Sequence, residues 1–275
     1  MVTSQQVREA LIKLGIKEGD SILTHSSFKS LGETENGAAT VVEGMKLAVG
    51  EDGTVLFPTL CQKDWPNVYK NWNMDAESDV GYLTNYFRKL PEALRSNQAT
   101  HSVAAIGKKA AYVTETHGET GRRYGIFGDT PFSADSPWEK MYHIDTKVVF
   151  LGVGIRKCTF RHFAEYCFME DCLKRAEGSS EYDRLKGQVW CYENWDAAGV
   201  WPHLDSEYIQ TVMEKRGMVH KATCGNAELL MVSSADFVDI SMELLKNKEK
   251  KALLENHDIW TVQTFIDWVE EIEKL

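Results

Sequence analysis

The chain has 275 residues, 43% of them apolar and 26% charged, with a formal net charge of −10. This supplies ample material for a folded core and excludes a disordered chain. No apolar stretch approaches the roughly 20 residues that cross a bilayer, and the N-terminus lacks a basic-then-apolar leader, so a soluble cytoplasmic protein outside the membrane is expected. The negative field disfavours a nucleic-acid partner and admits a polycationic small molecule. Six scattered cysteines without a CxxC pair (Cys61, Cys158, Cys167, Cys172, Cys191, Cys224) read as free thiols of a reducing compartment, not as a zinc site.

In chain order, Thr3 and Gln6 form a capping box ahead of Val7, Ala10, Leu11 and Leu14 at helical spacing, and Gly15 closes that helix. Residues 21–25 read as a strand entering the polar loop His25-Ser26-Ser27. Residues 37–49 read as a helix, and 54–57 as a strand ended by Pro58. Residues 61–79, rich in Trp, Asn and Asp, read as a long loop, a class that often carries function. A helix is expected at 80–89 and a strand at 102–106. The loop 115–132 holds five glycines or prolines in eighteen residues and leads to Ser136-Pro137, an N-cap followed by proline at the first helical position.

The apolar run 148–151 breaks at Gly152 and Gly154, and helix resumes near Thr159. Beyond it, 188–192, 218–220 and 227–232 read as strands, and 206–215 and 234–245 as helices. Val262, Phe265, Ile266, Val269 and Ile272 mark a final amphipathic helix. Strands alternating with helices, with no linker between the halves, predict one α/β layered domain over residues 1–275.

The strand-to-helix turn is the first place to look for chemistry. His162 and Glu165 fall three residues apart on one helical face, and a histidine oriented by a carboxylate is what proton abstraction requires. The plainer reading is a surface ion pair. A dinucleotide fingerprint fails, because Lys157 stands where the third glycine belongs. Cys158 at a helix start reads as a thiolate nucleophile or, more simply, as a small buried residue.

The loop from His25 to Gly32, with three serines and Lys29, reads as an anion cradle or a plain turn, and Thr100-His101-Ser102 repeats the theme. His25, His101 and His162 could in principle hold zinc, though without close ligand spacing. His143 and His203 look incidental. Glu165, Glu170, Asp171, Glu177, Glu181 and Asp183 form either an acidic attractor for a polycation or a solvated face. Asp64, Trp65, Tyr69, Trp72 and Asp75 are candidates for an acceptor pocket or for ordinary core and surface positions.

The succession LTHSSFKSLG, GTVLFPTL, SNQATHSVAAIG, FGDTPFSADSPWEKM and KVVFLGVGIRKCTFRHFAEY resembles the aminoglycoside 3-N-acetyltransferase family, and GQVWCYENWD and DFVDIS are similar too. The resemblance implies a three-layer α/β/α sandwich around a central mixed sheet, distinct from the GNAT acetyltransferases. It implies acetyl-CoA as donor with no metal, and the 3-amino group of a 2-deoxystreptamine ring as acceptor. A homodimer is compatible with it.

The histidine of the family's T-x-x-H-x-x-E motif maps onto His162 as general base, its glutamate onto Glu165 and its threonine onto Thr159. Thr159, or backbone N–H groups of the turn, would steady the oxyanion. Ser26, Ser27, Lys29 and Ser30, with His25 at the base, map onto the CoA channel, and His101 and Ser102 lie along it. Asp64, Trp65, Glu170 and Asp171 would meet the acceptor. Residues 61–79 and 166–185 follow no fixed family pattern. The competing readings are a transferase for another amine, a His-ligated metallohydrolase, a non-catalytic binder, and transfer through Cys158.

Overall fold

A computed structural model describes residues 1–195, 199–255 and 261–275. Its helices are α1 (Ser4–Lys13), α2 (Ala38–Val49), α3 (Val68–Asn71), α4 (Tyr82–Phe87), α5 (Ala110–Thr114), α6 (Pro137–His143), α7 (Phe160–Ala176), α8 (Tyr182–Gly187), α9 (Ser206–Lys215), α10 (Ser234–Lys246) and α11 (Val262–Glu273). Its strands are β1 (Ser21–Ser26), β2 (Thr54–Pro58), β3 (Leu94–Arg95), β4 (Val103–Gly107), β5 (Lys147–Leu151), β6 (His220–Cys224) and β7 (Ala227–Ser233).

The strands form one mixed sheet in the order β3-β4-β2-β1-β5-β7-β6. β1 runs parallel to both β2 and β5, with Ile22 opposite Val55 on one side and Leu23 opposite Val148 on the other. The flanking pairs are antiparallel. Because successive strand residues face opposite sides, Ile22, Val55, Phe57 and Val149 pack with α1, α2 and α4. Leu23, Leu56, Val148 and Phe150 pack with α5, α6, α7, α10 and α11. Both faces are covered, so the central strands read as continuous apolar runs. The result is a three-layer α/β/α sandwich.

The Thr3–Gln6 capping box is present on α1, and Ser136 caps α6 with Pro137 next to it. Two strand readings are corrected. Residues 188–192 join no sheet: Val189 makes a lone bridge to Val200, Trp190 and Cys191 are buried under the α7 side, and Tyr192–Asn194 is a 3-10 turn. The strand expected at 218–220 begins at its last residue. Met218 N–H first closes the end of α9 on the Met213 carbonyl at 2.9 Å, after Gly217 turns at φ 71°. The long loop 61–79 contains the one-turn α3, and Gly81 at φ 125° delays α4 to Tyr82. Short β3, α5 and α8 carry too few residues for a period to register.

Gly152, at φ 62°, lets β5 break sharply, and a Cβ there would collide with Ser30 Oγ and Cβ. Ser30 Oγ donates to the Ser27 carbonyl at 2.6 Å, and Ser27 N–H donates to the Leu151 carbonyl at 2.8 Å. The loop after β1 is thus sewn to the turn after β5. Gly152→Ala should lower stability by roughly 1–3 kcal/mol from the backbone conformation alone, with the overlap adding to it. A urea midpoint equal to that of the parent protein would contradict this account of the turn.

Candidate active site

A cleft of ≈ 480 Å³ opens where β1, β2 and β5 end, lined among others by His25, Ser26, His101, Thr159 and His162. Parallel strands of an open α/β sheet commonly present ligands at their carboxyl ends. After the Gly152 turn, Ile155–Lys157 makes a single 3-10 turn and Thr159 takes the N-cap position of α7. His162 therefore sits in the first turn of α7, and Glu165 lies one turn on.

Glu165 is fully buried. It accepts from His162 Nδ1 at 2.8 Å, from the Trp201 indole N–H at 3.1 Å and from the Leu204 backbone N–H at 2.9 Å. A carboxylate acceptor at Nδ1 fixes the imidazole tautomer, leaving Nε2 as the basic nitrogen. Arg161 Nε lies 3.4 Å from that Nε2. The Tyr166 hydroxyl accepts from Phe127 N–H at 2.7 Å and donates to the Gly128 carbonyl at 3.0 Å. These bonds hold the Phe127 ring edge-on to His162, with centroids 4.8 Å apart.

The electrostatics divide acid from base. Burial lowers the His162 pKa below its ordinary 6.5; Glu165 opposes this and Arg161 adds to it, so the ring is neutral at pH 7. Burial pushes the Glu165 carboxyl upward, but the adjacent His162, with His203 and Arg161, outweighs that and holds it at about 2. Burial, then Lys157, keeps His25 at about 3. His101 is lowered well below 6.5 by burial and by its histidine neighbours. Burial pushes the Cys158 thiol up to about 12, so it is no thiolate at neutral pH.

Residues 23–246 match the family described as aminoglycoside 3-N-acetyltransferase. The chain belongs to this family. It is 30% identical over 185 residues to the SPbeta prophage-derived aminoglycoside N(3')-acetyltransferase-like protein YokD of Bacillus subtilis (strain 168), an alignment covering 60% of this chain and 65% of that one. It is 30% identical over 183 residues to aminoglycoside N(3)-acetyltransferase III of Salmonella sp, covering 60% of each. The aligned part thus spans less than two thirds of these relatives. Among solved structures, a mutant of aminoglycoside acetyltransferase AAC(3)-IVa in complex with a gentamicin superposes with a TM-score of 0.69 at 19% identity, covering 94% of this chain and 93% of that one. AAC-IIIb in its binary complex with CoASH gives a TM-score of 0.67 at 19% identity, covering 90% and 97%. These likenesses establish the fold.

Of the residues singled out in the sequence, His162, Glu165, Thr159, His25, Ser26 and His101 meet at the cleft or directly behind it. Ser27 and Ser30 stitch the turn instead, and Lys29 is exposed. Ser102 is buried, its hydroxyl 2.8 Å from that of Thr59. Trp65 packs edge-on to Phe127 and tilted against Trp195, with centroids at 5.4 and 4.8 Å, outside the cleft lining. Asp64 is exposed and accepts from the Asn67 and Asn71 side-chain amides. Glu170 pairs with Arg123 at 2.5 Å and Lys174 at 2.8 Å, and Asp171 is exposed farther along α7. Among the described residues no three ligating groups cluster in a way that could hold a metal, so the zinc reading lacks geometry.

His203 is not incidental: its ring stands 5.4 Å from Trp190, edge-on, and it interacts electrostatically with Glu165. Asp196 of the GQVWCYENWD motif lies outside the described residues. Sequence reasoning missed the cations Arg156, Lys157 and Arg161, which line the cleft and make no ion pair among the described residues. Their signal was the basic spacing IRKCTFRH in an acidic chain. Trp201 and Leu204 were missed because their role is a contact made across the fold.

Histidines held neutral by burial destabilise the fold in acid. His25, at about 3, and His117, at about 4, both lie below the ordinary 6.5, so their contribution is complete above pH 6.5 and is lost as pH falls toward 3. The urea midpoint should begin to drop below about pH 6.5, and His25→Asn should make the decline shallower. An unchanged slope in the variant would contradict this.

Proposed function

We propose that this protein is an acetyl-CoA-dependent N-acetyltransferase acting on the 3-amino group of the 2-deoxystreptamine ring of an aminoglycoside. The observation that carries the reading is the His162 imidazole, bound through Nδ1 to buried Glu165 and basic at the Nε2 that faces the cleft. Family membership supports it, as do fold neighbours solved with a gentamicin and with CoASH.

The lining fits an acyl-CoA. Arg156 and Lys157, which make no ion pair among the described residues, offer cations to phosphates, and His25 Nε2, buried and without a hydrogen-bond partner among them, is suited to a polar group of the pantetheine arm. Ser26 and His101 complete that wall. The donor supplies an acetyl group activated as a thioester. His162 Nε2 takes the amine proton as nitrogen attacks the carbonyl, and Glu165 stabilises the imidazolium that results. Thr159, whose side chain makes no capping bond, is a neutral donor for the carbonyl oxygen. Asp64 and Trp65 lie on the loop beside Phe127, where an acceptor would enter. Glu170 and Asp171 contribute charge at longer range.

Transfer is direct, since the Cys158 thiol is held protonated. A second reading, transfer to a less highly charged amine, is favoured by one observation. Asp79, the carboxylate lining the cleft, is already bound by the backbone N–H groups of Gln62 and Lys63.

Thiol release from acetyl-CoA with a panel of aminoglycosides and simple amines, with the acetylated position read by NMR, tests the proposal. His162→Ala should lower kcat about 10²–10⁴-fold while CoA affinity is retained, and near-normal turnover would rule out the base role. Cys158→Ala should remain active, and an inactive but folded variant would revive the covalent route. The His162 imidazole, followed by NMR in the free enzyme, should titrate below pH 6.5, because burial lowers it from its ordinary value; a titration above 6.5 would contradict a neutral resting imidazole.

A further inference from the structure

Arg161 Nε lies 3.4 Å from His162 Nε2, the atom that takes the proton in the proposed reaction. The contact is longer than the 2.7–3.2 Å of a full N–H hydrogen bond, so an incoming amine displaces it at little cost. The guanidinium lines the cleft, and no carboxylate pairs with it among the described residues. Its charge helps to hold buried Glu165 ionised, while it opposes the imidazolium of His162. Arg161 differs from Arg156 and Lys157, which lie on the preceding 3-10 turn and make no hydrogen bond with the imidazole among the described residues. Its guanidinium, free of any ion pair among the described residues, can take a second anionic neighbour when one forms beside His162 Nε2 during turnover. Direct transfer forms one at this place, because the carbonyl oxygen is separated from the attacking nitrogen by a single carbon.

We propose that Arg161 is a catalytic residue, whose guanidinium donates a charged hydrogen bond to the thioester carbonyl oxygen as it becomes an oxyanion. The inference rests on the acetyltransferase reading and deepens it. The amine lone pair forms the C–N bond, the carbonyl π pair moves to oxygen, and His162 Nε2 takes the N–H proton. When the carbonyl reforms, the C–S bond breaks and the imidazolium returns the proton to the thiolate, leaving an amide and free CoA. Arg161 faces the anionic oxygen throughout, while Thr159 supplies a second, neutral donor.

The test compares Arg161→Met, Arg161→Lys and Arg161→Ala with the parent enzyme, using the best acceptor of the amine panel. Arg161→Met should lower kcat about 10²-fold or more, with the acetyl-CoA dissociation constant, read by calorimetry, changed no more than about threefold. Arg161→Lys should retain part of the rate, and guanidinium salt should partly restore Arg161→Ala. Unchanged kcat in a folded Arg161→Met enzyme would overturn the inference while leaving the base reading intact if His162→Ala is inactive. A loss confined to KM for acceptors that carry a carboxylate would overturn it in favour of substrate recognition. Weakened acetyl-CoA binding with unchanged kcat would assign Arg161 to the phosphates. No thiol release by the parent enzyme with any amine would overturn both readings.

Discussion

The site depends on one fully buried carboxylate that stays ionised. Removing Glu165 from water is costly unless its lone pairs are filled by hydrogen-bond donors. Three donors meet that demand, and they come from two directions: His162 from its own helix, Trp201 and Leu204 from the segment after residue 199. The bond to His162 then sets which imidazole nitrogen is basic. A tryptophan distant in sequence thereby helps to hold the carboxylate that orients the imidazole.

The remaining architecture brings this pair to the right place. Two parallel neighbours give β1 and β5 a common carboxyl end, and the Gly152 turn redirects the chain into α7 within a few residues. The Ser27–Ser30 loop braces that turn from β1. Tyr166, one turn beyond Glu165, holds the Phe127 loop over the imidazole. A helix that supplies the imidazole, the carboxylate that orients it and the clamp for the covering loop keeps all three in register. The cleft contrasts with the chain's net charge of −10: Arg156, Lys157 and Arg161 line it beside a single carboxylate, Asp79, and make no ion pair among the described residues.

Much of the scaffold was legible in residues whose signals are local. Thr3 with Gln6, Ser136 with Pro137, and the apolar spacing of the last helix each encode an element through neighbours a turn apart. His162 and Glu165 were legible for the same reason. The failures share a cause as well. The run at 188–192 has strand-like residues but no partner strand, since Trp190 is buried against the α7 side instead of entering the sheet. The Ser30 and Ser102 hydroxyls bond within the protein, and Ser27 joins the same turn through its backbone, contacts that no local pattern announces. Trp201, His203 and Leu204 gain their significance from a carboxylate almost forty residues away. Pattern reads the neighbours of a residue along the chain, whereas burial and pairing are settled by what the fold places beside it.

The central claim is that the resting imidazole of His162 is neutral, with its proton on Nδ1 facing Glu165 and a free lone pair on Nε2. Nitrogen-15 NMR of the histidine side chains at pH 7, with His162→Ala assigning the signal, tests it most directly. The account predicts one protonated-type nitrogen, Nδ1, and one pyridine-type nitrogen, Nε2. An imidazolium with both nitrogens protonated, or the proton on Nε2, would contradict it.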